Sequence, residues 1–233
     1  MIKNTDTIII YGGGTSLKDI SSEEYEIFKD VDSIAVNLFI KTEIHLTHYI
    51  LGEGLLYLLH RIRIENNEND RKNLLKEYNE YINLLNEKYV NTQIIFIINY
   101  SNMSFLNEYV DIIKKDLTNQ NIKYMNCDNE GNDTVDYIRN NKLYHKGCGI
   151  NCCISYAYRM GYKNVIFIGV DLYDSKYAYN SINIKLLNKN ELEVHSTKNE
   201  IFKYISTLKN KINLSTYNPK SLLSEIIPIY KKN

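Results

Sequence analysis

Short apolar runs alternate with longer stretches of helical periodicity along the whole chain. Three runs, at residues 5–11, 92–98 and 164–169, have few polar positions. This pattern is typical of strands that are covered on both faces in a parallel sheet. Further strands are predicted at residues 32–37, 43–50, 122–125 and 212–215.

Helices are predicted between these strands. Ser21 and Glu24 have the spacing of a capping box, which predicts a helix that runs to Lys29. Apolar residues recur at helical spacing in the charged stretch 53–89. Further helices are predicted at residues 105–117, in the segment that ends before Gly161, near residues 198–208 and at residues 221–230.

The alternation of strands and helices predicts an α/β fold, namely a Rossmann-like domain with a mostly parallel sheet. No internal repeat or linker divides the chain, so we expect one domain over residues 1–233. Two segments with weak periodicity, at residues 126–146 and 178–194, are predicted to be lids over the sheet edge.

The charge balance argues against nucleic acid as a partner. The chain has 28 Lys and Arg against 28 Asp and Glu, so its net charge is zero. No apolar run approaches the roughly 18–20 residues of a membrane span, and we expect a cytoplasmic protein. The two lysines near the C-terminus leave peripheral contact with the inner face of the membrane open. The charged stretch 53–89 is a solvated helix face or a contact in a homo-oligomer.

The four cysteines indicate a reducing compartment rather than a metal site. They lack the spacing of zinc ligands, and the adjacent Cys152 and Cys153 lie on a predicted buried helix, where small apolar side chains pack. We therefore expect no metal site at the cysteines.

A glycine-rich turn follows the first predicted strand. Gly12, Gly13 and Gly14 would let backbone N–H groups approach a ligand closely, and a following helix would favour an anionic group such as phosphate. Leu17 stands where a dinucleotide fingerprint has its third glycine. Glycine turns also occur for steric reasons alone, and both interpretations stay open here.

Polar and aromatic residues follow the strand at 164–169. Asp171, Tyr173, Asp174 and Tyr177 come just after it, where ligands bind in parallel sheets. Asn37 ends the second predicted strand, and its amide is suited either to a base or sugar edge or to a turn.

Ordered blocks of the sequence resemble the bacterial sialyltransferases of glycosyltransferase family 42. The resemblance extends across nearly all of that family's nucleotide-sugar domain. Its blocks are GGGTSLKDI, AVNLF, MGYKNVIFIGVDLY, SKYAY, VHSTKNEI and NPKSLL.

The resemblance implies a variant of the GT-A fold and an inverting transfer of sialic acid, or a related acidic sugar, to a glycan acceptor. The donor would be a CMP-activated sugar, used as a co-substrate without metal or other cofactor, in lipooligosaccharide or capsule biosynthesis. His195 matches the family's general base, and Tyr173 and Tyr177 match the two tyrosines that hold the donor phosphate.

The remaining matches lie in the substrate site. Asn37 matches a nucleotide-contacting asparagine, Gly13 stands where the family has an asparagine near the phosphate, and Cys148-Gly149 stands where it has Ser-Gly. Three residues at one strand end match the lining of the cytidine pocket, namely Gly169, Asp171 and Leu172.

The residue types fit this chemistry. A histidine with a pKa near neutrality can take the proton of the attacking hydroxyl. Two phenol O–H groups can stabilise the charge on the departing phosphate. Two alternatives stay open: a metal-dependent transferase that uses Asp171 and Asp174, and a nucleotide-binding or pyrophosphokinase-like protein that transfers no sugar.

Overall fold

The structure, a computed structural model, describes residues 5–98, 104–118, 121–128, 142–145, 148–172 and 191–231. This part of the chain contains eight strands, β1 to β8: Thr7–Tyr11, Asp32–Val36, His48–Leu51, Gln93–Ile98, Ile122–Asp128, Lys142–Tyr144, Asn164–Ile168 and Asn213–Thr216. It contains six α-helices, α1 to α6: Ser22–Phe28, Glu53–Ile64, Glu68–Lys88, Val110–Asp116, Gly149–Arg159 and Glu191–Leu208. Four short 3-10 helices complete it: Thr15–Asp19, Asn37–Lys41, Ser104–Tyr109 and Leu222–Glu225.

All eight strands form one parallel sheet in the order β6-β5-β4-β3-β2-β1-β7-β8. The central strand β1 pairs with β2 on one side and with β7 on the other, so that Ile8 lies opposite both Asp32 and Val165. Ile8, Ile9 and Ile10 are all fully buried. Consecutive residues point to opposite faces of a strand, so both faces of β1 are covered, as the apolar run predicts.

The α/β class and the mostly parallel sheet are confirmed. The capping box is also confirmed, since Ser21 accepts a hydrogen bond from the amide of Glu24 and the Glu24 carboxylate accepts one from the amide of Ser21. Helix α5 follows β6, packs on β1, β2 and β3, and leads to β7. Because the strands are parallel, α5 begins at the carboxyl edge of the sheet and returns to the amino edge.

Two predicted elements near the start of the sheet are shorter than expected. The strand predicted at 43–50 is present only as β3, because Thr47 and Ser33 exchange hydrogen bonds between backbone amides and side-chain hydroxyls just before it. The helix predicted at 53–89 is divided into α2 and α3. Asn67 causes the restart, since its side chain accepts hydrogen bonds from the first-turn amides of α3.

The C-terminal helix predicted at 221–230 is wrong. Only the short 3-10 helix Leu222–Glu225 forms there. Pro228 ends any helical continuation, and the segment instead pairs with the end of β8: the Thr216 amide donates to the Pro228 carbonyl, and the Tyr230 amide donates to the Thr216 carbonyl.

Both predicted lid segments contain regular structure. Within 126–146, β5 extends to Asp128 and β6 occupies Lys142–Tyr144, while residues 129–141 lie outside the described residues. Helix α6 begins at Glu191 rather than near Lys198, so residues 191–194 of the second predicted lid segment are helical. Residues 178–190 lie outside the described residues. Within the part of the chain that is described, no helix has the length and apolar character required to cross a bilayer.

Candidate functional site at the ends of strands β1 and β7

The order in which the strands are added to the sheet changes sides between β1 and β7. From β1 to β6 each new strand is added on one side, and β7 then returns to the other side of β1. Crevices at such a switch point, beyond the carboxyl ends of the strands, are where open α/β sheets bind ligands. The glycine-rich turn leaves β1 at this point, and residues 169–172 leave β7 beside it.

The two chain segments at the switch point lie in direct contact. The Gly12 amide donates to the Ile168 carbonyl and the Gly14 amide donates to the Gly169 carbonyl, each over 2.7 Å. A Cβ atom on Gly12 would lie 2.3 Å from the Gly169 oxygen and 2.8 Å from a Val170 methyl carbon. These two glycines are therefore required for close packing, and their amides are used within the protein.

Gly13 differs from its neighbours in the turn. Among the residues that the structure describes, its backbone N–H has no acceptor. The steric interpretation thus accounts for Gly12 and Gly14, and the phosphate-binding interpretation stays a prediction for Gly13.

The backbone beyond β7 adopts an unusual conformation twice. Gly169 has φ +69°, and a Cβ atom there would lie 2.7 Å from both the Gly12 oxygen and a Leu17 side-chain carbon. Leu172 has φ +63°, the one non-glycine residue with positive φ in the described part of the chain. Such conformations cost about 1–2 kcal/mol for a residue with a side chain. Other contacts must therefore hold this turn in place.

Asp171 lies between these two residues and is almost fully buried, with 3 % exposure. Its carboxylate accepts hydrogen bonds from the Ser16 amide at 2.9 Å, from the Ser16 hydroxyl, and from the Asn218 side-chain amide at 3.0 Å. These donors face the carboxylate oxygens, so its geometry is that of an internal acceptor rather than a cation ligand. Asp174, its partner in the metal hypothesis, lies outside the described residues.

Sequence reasoning missed the residues that hold Asp171. Ser16 precedes it by 155 positions and Asn218 follows it by 47. Ser221 adds a hydrogen bond from its hydroxyl to the Val170 carbonyl at 2.6 Å, and the Leu222 amide donates to the Asp171 carbonyl at 3.0 Å. The polar residues of TSL and NPKSLL were the available signal, but neither block indicates its partner.

The turn that starts at Asn37 lies against the end of β1. Asn37 begins the 3-10 helix after β2, and Phe39 in that helix stacks on Tyr11 with ring centroids 5.3 Å apart. Burial raises the pKa of Tyr11, so its hydroxyl stays protonated. The Asn37 side chain is outside the described part of the structure.

The predicted residues Cys148 and Gly149 form the start of α5, at the carboxyl edge of the sheet. Cys148 is the N-cap residue and is buried, but its side chain makes no capping hydrogen bond. The His145 carbonyl accepts hydrogen bonds from the Cys148 amide at 2.9 Å and from the Asn151 side chain at 3.4 Å. Cys153, farther along α5, is fully buried, and burial raises the pKa of its thiol. It packs as a small apolar residue.

The structure describes only the backbone of one of the three predicted catalytic residues. His195 lies in α6, but its side chain is not described, and Tyr173 and Tyr177 lie outside the described residues. In the described ranges, no group of three His, Cys, Asp or Glu side chains has the arrangement of a metal site.

The fold is an α/β fold built on one parallel sheet, with a switch point between β1 and β7. No protein-family model matches the chain, and no curated protein sequence matches it. Solved structures do match. A structure of the Campylobacter jejuni sialyltransferase CstII in complex with a substrate analogue, cytidine-5'-monophosphate, is 18 % identical with a TM-score of 0.53, and the match covers 97 % of this chain and 85 % of that one.

Two further structures of C. jejuni sialyltransferases are equally similar. The monofunctional α-2,3-sialyltransferase Cst-I is 18 % identical with a TM-score of 0.54, over 98 % of this chain and 82 % of its own. CstII in complex with a trisaccharide acceptor and CMP is 19 % identical with a TM-score of 0.52, over 97 % and 86 %. At this identity the similarity establishes that the chain has the fold of these sialyltransferases.

Proposed function

We propose that this protein is an inverting glycosyltransferase that transfers sialic acid, or a related acidic sugar, from a CMP-activated donor to a glycan. The observation that carries the proposal is the similarity of fold, over nearly the whole chain, to sialyltransferases solved with CMP. The switch point between β1 and β7 supports it, because parallel α/β sheets bind their ligands there.

The proposal assigns the donor phosphate to the region beyond β1. Gly12 and Gly14 use their amides to join the two loops, which leaves the Gly13 amide as the turn's donor toward the phosphate. Tyr173 and Tyr177 would donate phenol hydrogens to the same phosphate as it leaves. Asn37 would contact the nucleotide from the end of β2.

The proposal assigns the proton transfer to His195. As the acceptor hydroxyl attacks the anomeric carbon, its proton passes to the imidazole, the glycosidic bond to phosphate breaks, and CMP leaves with the bonding electrons. A neutral imidazole is required for this step. The position of His195 in the first turns of α6 fixes its backbone.

The test is transfer from CMP-sialic acid to a lactose-type acceptor, measured as CMP release with and without acceptor. We expect acceptor-dependent release by the wild-type protein and a loss of about 100-fold or more in His195→Ala, with CMP affinity unchanged. His45→Ala, at an exposed histidine outside the site, is the matched control. Binding of CMP without His195-dependent turnover would instead identify a nucleotide-binding protein that transfers no sugar.

A cytoplasmic reaction, contact with the inner face of the membrane and a homo-oligomer stay expectations that rest on the sequence. Sedimentation of the purified protein with and without anionic vesicles tests the last two together. Free monomer in both conditions would contradict them.

A further inference from the structure

We infer that Asp171 is a positioning residue, whose buried carboxylate joins the turn after β1 and the turn after β8 to the end of β7. The inference rests on the proposed function, because it concerns the loop that leads to the proposed phosphate-binding tyrosines. It assigns the carboxylate to the protein's own donors rather than to a nucleotide.

The hydrogen bonds converge on one side chain from two distant segments. Ser16 approaches from the glycine-rich turn with its amide and its hydroxyl, and Asn218 approaches from the turn after β8 with its side-chain amide. Asp171 and Ser16 are both buried, with 3 % and 5 % exposure. A buried carboxylate needs such donors, and hydrogen bonds to a charged acceptor are the stronger kind.

The backbone on both sides of Asp171 is fixed by the same C-terminal segment. The Ser221 hydroxyl donates to the Val170 carbonyl, and the Leu222 amide donates to the Asp171 carbonyl. These contacts immediately precede Leu172, whose φ of +63° is unfavourable for a leucine. Leu172 is thus held in a conformation that sets the direction in which the chain leaves β7.

The conformation of Leu172 affects the residues that follow it directly in the chain. Residues 173–177 contain both predicted phosphate ligands and are attached directly to Leu172. A change in this turn would move the backbone of Leu172, from which residues 173–177 continue. It would do so without removing any side chain of the proposed site. Catalytic hydrogen bonds tolerate such displacements poorly.

The donor and acceptor of the hydrogen bond between Asn218 and Asp171 can be exchanged by mutation. In Asp171→Asn, the new amide can satisfy both Ser16 groups only by directing its NH₂ toward the NH₂ of Asn218, so that two donors face each other. In Asn218→Asp, two carboxylates face each other. In the double variant the new amide at 171 donates to the new carboxylate at 218, which can still accept from the Lys220 amide as Asn218 does.

The experiment measures CMP affinity by calorimetry for the wild type, both single variants and the double variant, at a temperature at which all four are folded. We expect each single variant to bind CMP about tenfold more weakly and the double variant to recover to within about threefold of the wild type. Wild-type affinity in Asp171→Asn would overturn the inference. A double variant that binds no better than the singles would also overturn it.

Amide hydrogen exchange supplies a measurement that does not depend on the nucleotide. We expect faster exchange of the Leu222 amide in Asp171→Asn and recovery in the double variant, while Ile94 in β4 stays unchanged as the reference for global unfolding. Equal acceleration at both amides would show general destabilisation and overturn the positioning role. If the wild type binds no CMP, the proposed function fails, and the exchange data still decide whether Asp171 holds the turn.

Discussion

Gly12→Ala tests whether the two loops at the switch point are packed as closely as described. The added Cβ atom would lie 2.3 Å from the Gly169 carbonyl oxygen, so the two backbones must separate by about 1 Å to reach ordinary contact. Overpacking of this kind costs about 1–3 kcal/mol. Weakening the two inter-loop hydrogen bonds adds about 1 kcal/mol each, and the lower entropy of the unfolded alanine chain returns up to about 1 kcal/mol.

The expected loss for Gly12→Ala is therefore about 2–5 kcal/mol, or roughly 4–20 °C in Tm for a chain of this size. Gly54→Ala is the matched control, since a Cβ atom on Gly54, in the first turn of α2, has no atom within 4 Å. It should leave the free energy of unfolding unchanged or raise it by up to about 1 kcal/mol. Thermal and urea unfolding of both variants measure this, and two variants of equal stability would refute the close packing.

Two further predictions concern parts of the fold away from this site. Ser21→Ala should lower the free energy of unfolding by about 1 kcal/mol, since it removes one half of the capping box of α1; urea unfolding checks this, with exposed Ser22→Ala as the control, and equal values would contradict it. Burial lowers the pKa of His48 although the charge of Asp32 opposes this. Below the unfolded pKa of about 6.5 the unfolded chain binds more protons there, so the free energy of unfolding should fall as the pH decreases from about 7 to 5. His48→Gln should flatten that slope and His45→Gln should not, as measured by unfolding at several pH values; an unchanged slope in His48→Gln would show that another group is responsible.

The strands could be predicted because a strand that is buried on both faces is apolar at nearly every position. The residues at the core of β1 are three consecutive isoleucines, and a short run of β-branched residues of this kind is typical of a buried strand. The capping box could be predicted because its two partners are three residues apart. Local rules of this kind identify elements but not their neighbours in the sheet.

The prediction failed at the boundaries of some elements and for contacts between distant segments. Ser196 and Thr197 resemble the start of a helix, whereas α6 already begins at Glu191. The segment 221–230 has helical residues, but it pairs with β8 instead. The hydrogen bonds of Asp171 join residues from three parts of the chain, and no spacing in the sequence indicates them.

The central claim is that this fold binds a CMP-activated sugar at the switch point between β1 and β7. A crystal structure of the protein soaked with CMP at millimolar concentration tests it most directly. We predict that the nucleotide lies at the carboxyl edge of the sheet, with its phosphate within hydrogen-bonding distance of the Gly13 amide and its nucleoside toward the turn that begins at Asn37. CMP bound at any other place, or no bound CMP in a folded protein, would contradict the claim.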